Sequence, residues 1–344
     1  MTKWIDASVV DGPDAAPLSE IVVGQWRSSG ACLVDGLLPS ALVERVRSDA
    51  HAFYPAAGSP EASNINDFGS GNEFVFPAQS DAVNEVTLHH RLLSAVAQLL
   101  GVDVVDLRLS QSDLWVKYGR QRDESNRNDN SDQRIHVDYP NHTLTHPPAW
   151  DAPEAVEIII YYDDVADTGG ATALVPRTGD DDPAYPWPIV GTPGVGDLPW
   201  INDRASAEAY LAEQAPDVAA WREEHLYPRE QLAKFSRGSV LLYRHDTWHR
   251  GTPLEPGAMR TAQNLTFRRS GTEWISTLHP GWAWAMYRRG QRMERLIGSA
   301  TVEQRCVLGF PAPGHPYWTR EMLAAVTARY LPFGFDPAPY ASAL

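Results

Sequence analysis

A histidine and an aspartate two residues apart, His136 and Asp138, are the side chains whose types and spacing most directly indicate metal chemistry. In a β-strand, residues i and i+2 point to the same face, so an imidazole nitrogen and a carboxylate oxygen can converge on one ion. Two protein ligands rarely make a metal site, and the best candidate for a third is His249, far downstream. Two histidines and one carboxylate form the facial triad that holds Fe(II) on one side and leaves three positions open. These three residues therefore predict a non-haem iron site.

An arginine after the third histidine could bind a second component of this site. Gly251, Thr252 and Pro253 predict a turn, and Arg260 then begins the next strand. A guanidinium group is always charged, and its planar fork matches a carboxylate. We therefore expect Arg260 to bind the distal carboxylate of a keto acid that chelates the iron.

A competing pattern shares His249. His245 and His249 have the spacing of two zinc ligands on one face of a helix, as in metalloproteases. That interpretation requires a helix, whereas the segment follows an apolar strand and runs into Gly251 and Pro253. It also has Asp246 where a glutamate base is usual. The iron interpretation is favoured, and His245 is expected to be a turn residue or a neighbour of the ligands.

Together these residues resemble the phytanoyl-CoA dioxygenase family of Fe(II)/2-oxoglutarate-dependent oxygenases. The resemblance covers roughly residues 20 to 270 and is carried by His136-Val137-Asp138, the segment Thr168 to Pro176, Gly238-Ser239-Val240 leading to His249, and Arg260. It implies a mainly β fold with flanking helices, built on a double-stranded β-helix, or cupin-like jelly roll. It also implies Fe(II) on His136, Asp138 and His249, with 2-oxoglutarate as the co-substrate on Arg260.

The same resemblance implies two further co-substrate residues and a reaction. Lys117 matches a position that is often basic in the family, and Thr172 matches one that lies near 2-oxoglutarate. The implied reaction uses O₂, hydroxylates a small organic molecule and releases succinate and CO₂. Asp138 favours hydroxylation over halogenation, because related halogenases lack this carboxylate. Desaturation and cyclisation stay open, as does a cupin-like metal-binding protein or sensor without 2-oxoglutarate turnover.

The substrate side departs from the family pattern. The family often has Pro-Gly-Ser-His after the Gly-Gly strand, whereas this chain reads Val175-Pro176-Arg177-Thr178-Gly179. The substrate side of the pocket is therefore not that of the best-known members. The acidic net charge and the absence of an obvious phosphate cradle argue against a CoA thioester. The sequence does not identify the substrate class. Tyr139, next to Asp138, is the aromatic residue most readily placed near the pocket.

The elements that must position these residues follow from periodicity and turn signals. Apolar and β-branched runs predict strands, and spaced apolar residues predict flanking helices. The predicted strands are at 31–35, 102–109, 113–118, 155–162, 171–175, 238–243 and 260–268, and the predicted helices at 40–52, 83–100, 205–212, 218–225, 282–296 and 320–330. We expect one domain over residues 1–344, with a helical and loop insertion at about 178–235 and a C-terminal helical extension at about 280–344.

Composition limits the class of partner. The net charge of −15 disfavours binding to nucleic acid, whose phosphates would be repelled. No apolar run is long enough for a transmembrane helix, and no signal peptide is evident. Two cysteines are too few for a disulfide framework and fit a cytoplasmic protein. The sequence does not indicate an oligomeric state.

Overall fold

Two β-sheets form the centre of the structure, a computed structural model that describes residues 3–10, 16–65, 73–143, 150–186, 189, 191–272 and 291–344. The strands are β1 Trp4–Ile5, β2 Ser8–Val9, β3 Ala31–Asp35, β4 Leu107–Tyr118, β5 Ala155–Tyr161, β6 Thr172–Leu174, β7 Gln231–Ala233, β8 Val240–Tyr243, β9 His249–Gly251 and β10 Met259–Arg269. The larger sheet has the order β2-β3-β8-β5-β10-β4, and the smaller sheet has the order β1-β7-β6-β9.

The two sheets pack face to face, as the jelly-roll prediction requires. One apolar cluster lies between them and takes side chains from both, including Leu33, Tyr161 and Leu241 from the larger sheet and Leu174 and Ala233 from the smaller. In an antiparallel sheet, alternate residues face opposite sides. The large sheet therefore has an inner face toward the small sheet and an outer face toward the helices, and the predicted fold class is confirmed.

Helices cover the outer face of the large sheet. The main apolar cluster joins this face to the helices before β4, with Trp26, Val46 and Val96 among its fully buried members. The described α-helices are Glu20–Ser29, Ser40–Phe53, Asp81–Thr87, His90–Leu100, Tyr139–His142, Val165–Thr168, Arg204–Gln214, Pro216–His225, Arg292–Ser299, Val302–Val307, Arg320–Tyr330 and Ala338–Ala341, and the 3₁₀ turns are Pro60–Asn64, Val104–Asp106, Tyr227–Arg229 and Leu331–Phe333. None of these helices has the length and apolar character needed to span a membrane.

Three predicted elements differ from the structure. The helix expected at 83–100 is two helices separated at Leu88 and His89. The strands expected at 102–109 and 113–118 are one strand, β4, preceded by a 3₁₀ turn. The segment expected as an insertion at 178–235 contains both predicted helices, but β7 at its end pairs with β1 and β6 in the smaller sheet. Residues 282–290 of the predicted helix at 282–296 lie outside the described residues.

The inner face of the large sheet is arranged in rows, because strands β4, β10 and β5 are paired in register. Arg260 lies opposite Lys117, and Ala262 lies between Trp115 and Tyr161. In the next rows, Asn264 lies between Asp113 and Ile159, and Thr266 lies between Gln111 and Glu157. The interior of the barrel is therefore basic at one end and carries carboxyl groups at the other.

Candidate metal centre and co-substrate pocket

Backbone pairing brings the two distant histidines together. The backbone N–H of His136 donates to the carbonyl of His249, and the N–H of His249 donates to the carbonyl of His136, both at 2.8 Å. This antiparallel bridge places the two imidazole rings with centroids 4.4 Å apart. Asp138 follows in a tight backbone turn, held by its N–H donating to the carbonyl of His245 at 2.9 Å.

The side chains of His136, Asp138 and His249 converge on one point. One ligand atom from each residue lies within 4.8 Å of the others. His249 Nε2 is 3.2 Å from Asp138 Oδ2, and His136 Nε2 is 3.7 Å from Asp138 Oδ1. Both histidines are buried, and Asp138 is half-buried at the edge of a cavity.

The tautomer of each histidine suits metal binding. His136 Nδ1 lies 3.0 Å from the carbonyl of Arg134, and His249 Nδ1 lies 3.0 Å from the carbonyl of Thr247. A carbonyl oxygen only accepts, so each Nδ1 carries the hydrogen and donates it, which leaves the Nε2 lone pair directed at the convergence point. Such hydrogen bonds fix ring orientation as well as tautomer.

Burial and the neighbouring charges shift the pKa of each of the three candidate ligands. Burial, with His249 and Arg134 nearby, holds the pKa of His136 well below its ordinary value. Burial alone would raise the pKa of Asp138, but the imidazoles of His249 and His136 outweigh it, so this pKa is lowered. Burial lowers the pKa of His249 but the Asp138 carboxylate outweighs it, so the net shift is upward. The cluster therefore combines an ionised carboxylate with two imidazoles.

Tyr243, at the end of β8, completes the surroundings of Asp138. Its hydroxyl donates to Asp138 Oδ2 at 2.9 Å, and its ring lies 4.7 Å from the ring of His249. Burial, followed by the nearby Asp138 and Glu157 carboxyls, raises the pKa of Tyr243 well above its ordinary value. The hydroxyl therefore stays protonated and remains a donor to Asp138.

A cavity of about 150 Å³ adjoins the three candidate ligands and extends to Arg260 and Thr172. Arg260 is buried, and its Nη1 donates to the carbonyl of Gly170. Its guanidinium lies 5.6 Å from the ring of Trp115 and 5.9 Å from that of Tyr161. Thr172 Oγ1 is 2.6 Å from the Tyr161 hydroxyl. A small carboxylic acid would fit between the metal site and this positive end.

Lys117 lies beside the cavity and is not among the described residues that line it. It is buried directly opposite Arg260 on the neighbouring strand. Its Nζ donates to the carbonyl of Ser131 at 3.1 Å and to that of Thr252 at 3.5 Å. The lysine thus adds positive charge to the Arg260 end while bracing two loops.

The residues present fit iron and 2-oxoglutarate. Two imidazole nitrogens and one carboxylate oxygen are the donor set that Fe(II) takes in a facial triad, and three protein ligands leave room for exogenous groups. A buried guanidinium at the far end of the cavity suits the second carboxylate of a dicarboxylic keto acid.

Several residues of the pocket were not singled out in the sequence. Trp115, Gln133, Asn264, Trp200 and Asn202 line the cavity together with Tyr243. Trp200 and Asn202 come from the predicted insertion, where Arg134 fixes them by stacking 4.1 Å from the Trp200 ring and donating to Asn202 Oδ1 at 3.2 Å. Alternation along β10 could have indicated Asn264, because this polar residue shares a face with Arg260.

Tyr139, His142 and His245 lie near the candidate ligands in the sequence but are not among the described residues that line the cavity. Tyr139 is not among the described residues that line the cavity: it is buried in an apolar cluster, and its hydroxyl donates to the carbonyl of Ile189 at 2.5 Å. His142 ends the short helix Tyr139–His142 and is buried, with its Nε2 3.5 Å from Glu157 Oε1. His245 lies in a turn before β9, so the helix required by the zinc interpretation is absent there.

Comparison with solved structures supports the fold. The crystal structure of EvdO2 from Micromonospora carbonacea var. aurantiaca matches with a TM-score of 0.50 and 12% identity, covering 74% of this chain and 91% of that chain. EvdO2 complexed with 2-oxoglutarate matches with a TM-score of 0.51, at 12% identity and the same 74% and 91% coverage. The non-heme alpha ketoglutarate dependent carbocyclase SnoK from nogalamycin biosynthesis matches at 0.48, with 17% identity and 75% and 87% coverage. At 12% identity the likeness to EvdO2 concerns the fold alone.

Family membership comes from the sequence itself. No curated protein sequence matches the chain. Residues 26–262 match the phytanoyl-CoA dioxygenase (PhyH) family. The match spans more than half of the chain and includes the histidine–aspartate pair, the Gly-Gly strand, His249 and Arg260. The chain therefore belongs to the phytanoyl-CoA dioxygenase family and is a non-haem Fe(II)/2-oxoglutarate-dependent oxygenase.

Proposed function

We propose that this oxygenase hydroxylates a small organic molecule, with His136, Asp138 and His249 as the iron ligands and Arg260 as the anchor of 2-oxoglutarate. The observation that carries the proposal is the convergence of two Nε2 atoms and a carboxylate oxygen at one end of a cavity that reaches a buried arginine. When bound, iron and 2-oxoglutarate supply the oxidising chemistry, in which O₂ is consumed, succinate and CO₂ are released and one oxygen atom is delivered to a C–H bond.

The protein's own contribution is binding and orientation. The carbonyls of Arg134 and Thr247 hold the imidazole rings, and Tyr243 holds the carboxylate. Arg260 provides a charged fork for the distal carboxylate, while Thr172 offers a hydroxyl beside it and Lys117 adds positive charge. Burial of this end keeps bulk water away, which strengthens each of these electrostatic contacts.

Wall residues place the substrate. Trp115 and Trp200 supply flat apolar surfaces, and Asn202 and Asn264 supply polar groups, all facing the cavity. Since Trp200 and Asn202 belong to the loop before the helix Arg204–Gln214, the predicted insertion forms part of the pocket wall. We propose that the predicted domain organisation, one catalytic domain with this insertion and a C-terminal helical extension, serves to enclose the site.

Anaerobic titration tests the co-substrate assignment. Protein loaded with Fe(II) is expected to develop a metal-to-ligand charge-transfer absorption when 2-oxoglutarate is added. Arg260→Met should weaken 2-oxoglutarate binding by about 100-fold or more, because a charge-assisted bidentate contact is lost, while Fe(II) affinity stays unchanged. Arg269→Met, on the same strand and outside the cavity, is the matched control. An Arg260 variant with normal 2-oxoglutarate affinity would refute the assigned role.

Ligand variants test the metal assignment. Asp138→Ala and His249→Ala are each expected to lower Fe(II) affinity strongly, and His225→Ala, outside the site, should not. With a turned-over substrate, mass spectrometry distinguishes the reactions: hydroxylation adds one oxygen atom, whereas desaturation and cyclisation remove two hydrogen atoms. Products that lack the added oxygen would reject hydroxylation.

A further inference from the structure

A strip of polar side chains crosses the inner face of the large sheet at the end opposite Arg260. We call it the interior polar strip, and its members are Gln111, Asp113, His142, Glu157, Asn264 and Thr266. Five of the six come from the neighbouring strands β4, β10 and β5, and all except Asn264 are buried. Barrel interiors are usually filled with apolar side chains, so a buried polar strip needs an explanation.

Contacts within the strip are continuous. Gln111 Nε2 donates to Asp113 Oδ1 at 2.6 Å. The Thr266 hydroxyl donates to Glu157 Oε2 and lies 3.4 Å from Gln111 Oε1. Glu157 Oε1 lies 3.5 Å from His142 Nε2. The strip therefore extends from β4 across β10 and β5 to the short helix that follows Asp138.

The strip adjoins the iron cavity. Asn264 and its cross-strand neighbour Ile159 both line the cavity. Asp113 is the partner of Asn264 on its other side. Glu157 is the cross-strand partner of Tyr243, which also lines the cavity and donates to Asp138. A substrate placed against the metal site would therefore meet the strip at Asn264. Asp113 and Glu157 are outside the described lining and lie opposite the lining residues Asn264 and Tyr243.

Two hydrogen-bond acceptors in the strip receive no hydrogen bond from the described part of the chain. Among the residues that the structure describes, Glu157 Oε1 and Asn264 Oδ1 are buried and accept no hydrogen bond. A buried acceptor without a donor costs about 1–3 kcal/mol. Asn264 lines the cavity and Glu157 pairs with Tyr243, which also lines it, so these groups are better explained as binding groups than as packing.

The strip also lacks a cation. No lysine or arginine of the described chain lies within 4.0 Å of the Asp113 or Glu157 carboxyl. His142 does not supply the charge, because burial lowers its pKa to about 4. Burial raises the pKa of Asp113 to about 6 and that of Glu157 well above its ordinary value. Both carboxyls would gain from a positively charged donor.

We infer that the substrate carries an ammonium group, which binds Asp113 and Glu157 while Asn264 Oδ1 accepts a further hydrogen bond. This inference rests on the proposed function, because it uses the same cavity. An ammonium group is the donor that two buried carboxyls and an amide oxygen satisfy best. The rings of Trp115 and Tyr243, which line the cavity, suit a cation as well. A carboxylate or phosphate at this end would instead face Asp113, Glu157 and Asp138.

Fragments of one size and different charge test the inference. The probes are cyclohexylamine, cyclohexanol and cyclohexanecarboxylate, and binding is followed by tryptophan fluorescence, since Trp115 and Trp200 line the cavity. Protein with Fe(II) and 2-oxoglutarate is kept anaerobic, and metal-free protein is measured in parallel. The amine is expected to bind about tenfold more tightly than the alcohol, and the carboxylate more weakly than both. Equal affinity for the amine and the alcohol, or preference for the carboxylate, would overturn the inference.

Variants assign the effect to the strip. Asp113→Asn and Glu157→Gln keep the side-chain shape and are each expected to lower amine affinity about tenfold while leaving alcohol affinity unchanged. Asn264→Asp adds a carboxyl group and should raise amine affinity. This gain tests the inference even if Asp113→Asn or Glu157→Gln folds poorly. Asp103→Asn, at an exposed acid outside the strip, is the control. If amine affinity is the same in all four variants, the strip is not the binding site.

The two proposals fail in different ways. In the same samples, the charge-transfer absorption with 2-oxoglutarate reports on the proposed function and not on the fragments. Normal absorption without amine preference would reject only the ammonium substrate. Amine preference in metal-free protein without that absorption would reject the iron and 2-oxoglutarate assignment and keep the cation site.

Discussion

At the scale of single residues, the site depends on hydrogen bonds that the candidate ligands make away from the metal. Each histidine donates through Nδ1 to a backbone carbonyl two residues earlier, and Asp138 accepts from Tyr243. The histidine contacts use backbone and survive most substitutions. The tyrosine contact uses a side chain, so it can be removed without altering any ligand.

Tyr243→Phe is expected to lower Fe(II) affinity by about 10- to 100-fold, because the Asp138 carboxylate loses the donor that orients it. Tyr162→Phe is the matched control, since Tyr162 is also a buried tyrosine but donates to Gln263 Oε1 on the helix-covered face. Anaerobic calorimetry with Fe(II) measures both. Equal losses in the two variants would mean that the Tyr243 hydroxyl has no special role at the metal site.

Asp113 has a consequence for stability as well as for binding. Burial raises its folded pKa from 3.8 to about 6, so between these values the folded state binds more protons than the unfolded state. This destabilisation is absent below about pH 4, grows as pH rises through the window, and is fully present above about pH 6. Asp113→Asn cannot ionise and should unfold with a free energy about 2–3 kcal/mol higher, relative to wild type, at pH 7 than at pH 4.

Urea unfolding at several pH values checks this expectation. Asp103→Asn, at an exposed carboxyl whose side chain caps no helix, should follow the wild-type pH profile. A pH profile of Asp113→Asn that runs parallel to wild type from pH 4 to pH 7 would show that Asp113 is not the group that titrates.

At the scale of elements, local sequence patterns predicted the helices well, whereas strand pairing between distant parts of the chain could not be predicted. The two helices of the insertion lie within two residues of their predicted bounds, because apolar spacing and N-capping are local. β7 was missed, because three residues become a strand only by pairing with β1 and β6, which are distant in the chain.

β4 shows a second limit. Thr266 of β10 pairs with Gln111 and the next residue, Phe267, pairs with Leu109, so Ser110 is an additional residue in the ladder. A bulge of this kind reverses the alternation of inward and outward side chains. The sequence therefore has two alternating runs out of phase, which predicted two strands instead of one.

The candidate site likewise combines residues that the sequence indicated with residues that it did not. His136 and Asp138 were recognisable from a spacing of two, and Arg260 and Thr172 from the family pattern. Tyr243, Trp200 and Asn202 reach the cavity from different parts of the fold, and no spacing in the sequence relates them to the ligands. The interior polar strip could not be predicted either, because its members come from parts of the chain that are distant in the sequence. Glu157, a charged residue in an apolar strand, was a local sign of it.

The turn at Gly169 and Gly170, before strand β6, contacts Arg260 at the proposed co-substrate end of the cavity. Gly170 has φ of 65°, and a Cβ there would lie 2.5 Å from Leu254 Cδ1. Its carbonyl accepts from Arg260. Gly170→Ala is expected to cost about 1–3 kcal/mol of stability from the left-handed backbone and the contact with Leu254, and to weaken 2-oxoglutarate binding by displacing Arg260.

Gly257→Ala separates the two effects. Gly257 also has a positive φ, 78°, but no atom lies within 4 Å of the position that an alanine Cβ would take, so only backbone strain should result. Thermal unfolding and anaerobic 2-oxoglutarate titration are the measurements. If both variants retain wild-type 2-oxoglutarate affinity, the Gly170 carbonyl does not position Arg260.

At the scale of the whole molecule, the C-terminal helices form an apolar cluster of their own and still reach the metal site. Ile297, Trp318 and Val326 are among the buried members of that cluster. Arg329, which is 1% exposed, donates to the carbonyls of Pro140 at 3.2 Å and Thr143 at 3.0 Å. These carbonyls belong to the segment directly after Asp138, so the C-terminal region braces the loop of a candidate ligand from outside the barrel.

Arg329→Met is therefore expected to lower both stability and metal affinity. Losing the donor leaves two buried carbonyls without this partner, which should cost about 2–4 kcal/mol in the free energy of unfolding. Fe(II) affinity should fall by about 3- to 10-fold, less than on removal of a ligand, because Asp138 loses its support and not its carboxylate. Arg320→Met is the matched control, since Arg320 begins the same helix and is exposed. Chemical unfolding with and without Fe(II) measures both quantities: a variant that loses stability but keeps full metal affinity would show that the C-terminal helices are only structural.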